Sequence, residues 1–236
     1  MRFQPHIRRI HRFLVRHAFY ALALSSTLAV GILAGRVLRA QQGSYIFLVW
    51  NLFLAWVPYG WSLWAASIQQ RYPRDWWRLL LPGALWLLFF PNAPYIITDF
   101  VHLYDRPPVP LWYDIGLLAA FAWSGCFLAV VSLQTMQRLV RQQCGALISW
   151  LFVGASVGLS GLGVYLGRFE RWNSWDLLLS PHDVLAAAAR PILFPLSHIR
   201  PLGASAMFAT ILMVCYVMFI AVAASAHPSA LAAEEP

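Results

Sequence analysis

The sequence contains no lysine; all seventeen of its basic residues are arginine. That absence excludes Schiff-base lysine catalysis, pyridoxal enzymes, a retinal linkage and a Walker P-loop, each of which needs a lysine amine. Charge of either sign is scarce at 11% of residues, while 60% are apolar and the mean hydropathy is +0.62. This balance belongs to a multipass membrane protein rather than to a soluble domain. Cysteine is rare as well. Cys126, Cys144 and Cys215 lie far apart, in or beside apolar stretches, with no CxxC or CxxCH spacing, so neither a disulfide framework nor a haem attachment is indicated. No cofactor is required by any residue pattern.

The formal net charge of +8 would suggest nucleic acid in a soluble protein, but Arg2, Arg8, Arg9, Arg12 and Arg16 all precede the first apolar run. Such a cluster reads as a topology signal beside anionic lipid. The lipid bilayer is therefore the expected partner, and nucleic acid is not.

A bilayer core of about 30 Å needs about 20 apolar residues per helix. Six runs of that order occur, at about 18–35, 44–67, 79–98, 111–133, 146–167 and 202–226. The first is long and is followed by no A-x-A cleavage site, so an uncleaved helix is expected. The expected fold is an all-α integral membrane bundle of six transmembrane helices. A basic cytoplasmic segment (1–17) precedes the single transmembrane domain (18–226), and a short tail (227–236) follows it. With both termini inside, inner segments hold ten arginines and outer segments seven, which favours N-in and C-in.

That topology puts the connections 99–110 and 168–201 on one outer face, together with Asp99, Asp105, Glu170, Asp176 and Asp183. Within the second connection, Ser180-Pro181-His182-Asp183 supplies an N-cap, a proline at the first helical position and an early acid. A short interfacial helix over 181–190 is expected, with Trp172 and Trp175 in the same interface.

Pro91 and Pro94 should break the third helix near 90–94 and free carbonyls that need internal partners. Asn92, between them, has both donor and acceptor. Asn51 in the second helix, which also carries Pro58, and Asn92 in the third each lie seven residues from an outer helix end, about 10 Å deep on the same side. Two readings follow: kinked helices pinned by asparagines, or a binding site on unwound backbone as in transporters.

Above the break, Asp99, His102 and Asp105 recur every three residues and can share one helix face. Their types suit acid/base work or a divalent metal, or simply a solvated helix end. Asp99, His102 and Asp176 are thus the catalytic candidates, and Asp99, His102 and Asp105 the metal candidates. In GRFERWNSWD (167–176), Arg168 and Arg171 stand a helical turn apart, and Glu170 and Asp176 offer them carboxylates, as do Asp99 and Asp105 across the face. An arginine site for an anion is the sharper reading of that stretch, and surface ion pairs the plainer one. The binding candidates are Asn51, Asn92, Tyr95, Asp105, Arg168, Arg171 and Asn173.

The fifth run contains GASVGLSG (154–161), which holds GxSxG at Ser156 and GxSG at Ser160. GxSxG needs a strand-turn-helix elbow that a transmembrane helix cannot provide. GxSG resembles the nucleophile motif of rhomboid proteases, but the last run carries no histidine to partner it. Gly154 and Gly158 instead form a GxxxG face suited to close helix packing, as do Gly31 and Gly35 in the first run.

The stretches NLFLAWVPY, FFPNAPYIITDFVHL and GRFERWNSWD together carry a resemblance. Over about 45 to 220 the chain resembles an uncharacterised family of bacterial multipass membrane proteins, the domain of unknown function numbered 1361. The family's F/L-PNAPY-x-x-TD-x-x-HL pattern is matched by Pro91, Asn92, Ala93, Pro94, Tyr95, Thr98, Asp99, His102 and Leu103. Its R-x-x-RWNSWD pattern is matched by Arg168, Arg171, Trp172, Asn173, Ser174, Trp175 and Asp176. The resemblance implies a multipass protein of the bacterial cytoplasmic membrane and carries no established activity. The leading functional expectation is a membrane scaffold or subunit with a membrane-protein partner and a polar extracytoplasmic face. The alternatives are a small transporter using the broken helices, or an outer-face enzyme or metal site built from the 92–105 and 168–183 segments.

Overall fold

The computed structural model describes residues 3–225; the expected tail at 227–236 lies outside them. The described residues form helices and turns with no strand, only one isolated antiparallel bridge between Arg106 and Val109. In chain order the helices are α1 (Phe3–Arg16), α2 (Phe19–Ala40), α3 (Phe47–Arg71), α4 (Leu80–Phe89), α5 (Asn92–Tyr95), α6 (Leu111–Arg168), α7 (Asp176–Leu179), α8 (Pro181–Leu193) and α9 (Ile199–Ser225). Short 3-10 turns at Trp76–Leu79, Ile96–His102 and Pro195–His198 complete the series.

Among the described residues, four stretches are long and apolar enough to cross a membrane: Phe19–Ala40, Trp76–His102, Leu111–Arg168 and Pro201–Ser225. The runs at 111–133 and 146–167 fall in one 58-residue element, interrupted only at Gly145, where φ is 85° and ψ 177°. Only glycine takes that conformation without strain. The segment between these runs, with Arg138 and Arg141, is thus helix rather than loop, and one residue makes the turn. α3 is also long, at 25 residues, and continues through Pro58; its tryptophans and Asn51 keep it outside the more apolar set. The basic N-terminal segment is helical too and turns into α2 at Ala18, which adopts a left-handed φ of 57°.

The third apolar run breaks where its prolines fall. α4 ends at Phe89, α5 occupies one turn, and the chain tightens to 3-10 geometry from Ile96 to His102. Asn92 closes the break by donating to the Phe89 carbonyl at 2.9 Å, while the Phe90 carbonyl accepts from the Ala93 amide at 3.2 Å. The core beneath is aromatic: Trp86 stacks on Phe90 and Phe152, with centroids 4.5 and 5.6 Å apart.

Two glycines seat the break on α6. A Cβ on Gly125 would stand 2.6 Å from the Ala93 carbonyl oxygen, and one on Gly163 would stand 2.5 Å from Pro91 Cβ. The expected GxxxG face behaves differently. Gly154 and Gly158 point outward, where an added Cβ meets nothing within 4 Å, and close packing against α9 falls instead on Gly161. Alanine at Gly125 or Gly163 is therefore expected to cost about 1–3 kcal/mol through overpacking, and alanine at Gly154 or Gly158 to cost nothing measurable. Melting temperatures of the four variants in detergent test this; equal shifts for all four would refute the seating role.

α8 covers the expected 181–190 and runs on to Leu193, with Pro181 in its first turn. Ser180 stands at the N-cap position but makes no side-chain capping bond, so the expected cap is present in position only. Its φ of −138° and ψ of 61° suit the chain reversal from α7 that places α8 beside α6.

Candidate functional site

The two polar connections meet through Arg168 at the last turn of α6. Its Nη2 donates to Asp99 Oδ1 at 2.8 Å, its Nε to the Thr98 hydroxyl at 3.1 Å, and its Nη1 to His102 Nε2 at 3.3 Å. The guanidinium also lies over the Tyr95 ring, 4.9 Å from the centroid. Asn51 on α3 donates to the other carboxylate oxygen, Asp99 Oδ2, at 2.7 Å. Both oxygens of Asp99 are engaged, and the residue is 1% exposed. Thr98 passes the network on by donating to the Tyr95 carbonyl at 2.7 Å.

A second buried pair lies beside this network and was not anticipated from the sequence. Arg36 of α2 grips Asp114 at the start of α6, Nε to Oδ1 at 2.6 Å and Nη2 to Oδ2 at 3.0 Å, with both residues essentially excluded from solvent. The Tyr45 ring packs against this guanidinium, 4.6 Å from its centroid, and against that of Arg106 at 5.0 Å. The Tyr45 hydroxyl donates to the His102 carbonyl at 3.0 Å, which joins the two networks. The signal for this pair was present: Asp114 is an acid inside an apolar run, which demands a partner.

The remaining candidates separate. Asp176 accepts from the backbone and side chain of Asn173 at 2.7 and 3.3 Å, a local turn that the pair closes by itself. Glu170 accepts from the Tyr165 hydroxyl at 2.9 Å. Asp105 is exposed. Among the described residues, no three of histidine, cysteine, aspartate or glutamate converge on a position that could hold a metal. Ser156 and Ser160 are buried helical residues on α6, without the elbow that a serine nucleophile of the GxSxG kind requires.

Asn51, Asn92, Tyr95, Arg171 and Asn173 share one cavity of about 630 Å³, a size typical of small-molecule sites. Its walls come from α3, α4, the second half of α6 and α8, and the 171–174 stretch forms its polar end. Asn92 bridges wall and end by donating to Ser174 Oγ at 2.8 Å. Arg171 sits just past α6 in a left-handed conformation, φ 61°, which turns its backbone away from the helix that carries Arg168.

An all-helical chain with membrane-length apolar stretches and a cavity beside a broken helix defines the class. A family model described as "Protein of unknown function (DUF1361)" matches residues 50–223, and the chain belongs to that family. No curated protein and no solved structure matches it.

Proposed function

We propose that this protein is a six-span, N-in and C-in protein of the bacterial cytoplasmic membrane that binds a small molecule in the outer half of the bilayer, as a transporter with a broken helix does. The carrying observation is the cavity of about 630 Å³ that reaches both Asn51 and Asn92. A scaffold needs no such space, whereas irregular backbone lining a cavity is how broken membrane helices form binding sites. The six-span count is supported by the Gly145 turn, which divides α6 into two lengths that each suffice to cross, and by the length of α3. The orientation gains support from the burial of Arg36 against Asp114, since a buried arginine leaves the loop tally and the inner excess becomes ten against six.

The acid-histidine run acts as support rather than as chemistry. Asp99 has no free oxygen, and its partners tie the 3-10 segment to α3 and α6. Single cysteines at Leu162, Ala84 and Ser174, in a chain whose three native cysteines are replaced by alanine, provide the test. A small membrane-impermeant thiol reagent added outside intact cells is expected to modify the Ser174 position fast and the Leu162 and Ala84 positions measurably. Unreactive cysteines at Leu162 and Ala84 would mean a closed, packed interior and would end the binding reading. Labelling only from the inside would reverse the orientation.

A further inference from the structure

Three observations about the cavity point to the chemistry of its occupant. The first is its polarity gradient. Ala84 to Pro91, along α4 and into the break, spans seven residues of wall, about 10 Å, faced on α6 by Leu159, Leu162 and Leu166. All of these side chains are apolar, while Asn92, Asn173 and Ser174 gather at the other end. A molecule aligned with that gradient has an apolar body and a polar head, in the order of a lipid in the outer leaflet. The second is charge. Arg171 is the one charged side chain among the described lining residues, and among the described residues it has no carboxylate partner. Asp99, Glu170 and Asp176 are each engaged with other groups. The third is access. Trp50 on α3, Leu159 on α6 and Leu185 on α8 border the cavity and are 54%, 48% and 59% exposed, so the space opens sideways on the flank of the bundle, where an alkyl chain can slide in from lipid.

Resting on the binding reading above, we propose that the cavity is a lateral-entry site for an anionic amphiphile, with its alkyl chain between α4 and the second half of α6 and its carboxylate or phosphate at Arg171. The guanidinium supplies a donor fork suited to either anion, and the Ser174 hydroxyl, which accepts from Asn92, keeps its own proton to donate. Burial of a chain against leucines supplies affinity, and the arginine supplies selection by head group.

Native mass spectrometry of the purified full chain in mild detergent tests the assignment with three probes: oleate, dioleoylphosphatidylglycerol and dioleoylphosphatidylcholine. One anionic probe is expected to bind at least about tenfold tighter than the zwitterionic lipid, and which one does so distinguishes a free acid from a phosphate head group. Arg171→Gln is expected to lower that affinity about tenfold, a loss of one anion-selective contact, and Arg171→Lys to retain most of it. Leu162→Trp, which fills the apolar end, should remove binding of every probe; Leu88→Trp on the facing wall serves the same purpose if the first variant does not fold. Equal affinity for the three probes, an unchanged Arg171→Gln, or full binding to the filled variants would overturn the proposal. A chain whose cavity cysteines react but which shows no preference for anionic probes loses this proposal and keeps the binding reading. Unreactive cavity cysteines remove both.

Discussion

Replacing Asp114 by alanine is expected to destabilise the protein by about 3–5 kcal/mol, the cost of leaving one member of a buried ion pair without its partner. Arg36 is 1% exposed and held by two carboxylate contacts, and among the described residues no other acid pairs with it. The guanidinium then has no relief, because arginine does not deprotonate in proteins. Against a total stability of about 5–15 kcal/mol, the loss is large enough to be read as failed recovery of folded protein. The pair itself is a different quantity. Removing both charges, as in Arg36→Met with Asp114→Leu, is expected to restore most of the stability, since apolar side chains of similar volume need no compensation. Unfolding by sodium dodecyl sulfate from mixed micelles measures both variants against the parent. A single Asp114→Ala variant within about 0.5 kcal/mol of the parent would contradict the burial of Arg36.

Arg168→Met is expected to cost about 3 kcal/mol, for the same reason seen from the other side: Asp99, 1% exposed, keeps only Asn51. Three neighbours lose their donor together, Asp99, Thr98 and His102, so the effect exceeds that of a surface ion pair, which is worth about 0–1 kcal/mol. Arg168→Lys should recover only part, because an ammonium cannot fork across two partners. In a double-mutant cycle, Asp99→Asn combined with Arg168→Met should cost clearly less than the sum of the two, since neighbours in one network are not additive. Additive losses would place Arg168 outside the network. A second readout follows from position: the network holds the 3-10 segment that continues the broken helix, so Arg168→Met should also slow or abolish labelling of a cysteine at Leu162, while Arg36→Met with Asp114→Leu leaves labelling intact.

Much of this arrangement was legible from residue types alone. Two prolines three apart in an apolar run force a break, and the asparagine between them is the obvious partner for a freed carbonyl; the structure has both, with the Phe89 carbonyl as the acceptor. Arg168 and Asp99 were both named, and their pairing was one of several allowed. The register that selects it depends on where α6 ends and how tightly 96–102 winds, and neither can be read from side-chain periodicity. The Gly154 and Gly158 pattern misled for a related reason: a small-residue stripe shows that close approach is feasible on that face, but only the positions of the neighbouring helices decide whether anything approaches. Gly161 and Gly163, on other faces of the same helix, received the contacts instead. Arg36 and Asp114 stand 78 residues apart in the chain, and nothing in the pattern around either residue names the other.

The sequence by itself determined the solvent and the segments. Scarce charge and long apolar runs dictate helices long and apolar enough to cross a membrane, because backbone polar groups in an apolar segment must be satisfied within it. Proline and glycine positions then dictate where those helices break and turn, because these are local constraints on φ and on the amide. What only the tertiary structure decided is which polar residues neutralise one another and which are left free. Arg168 is committed to Asp99 and Arg171 is not, although the two stand three residues apart in one motif. That difference arises from packing between segments distant in the chain, and it turns one arginine into a brace and the other into the charged end of a cavity.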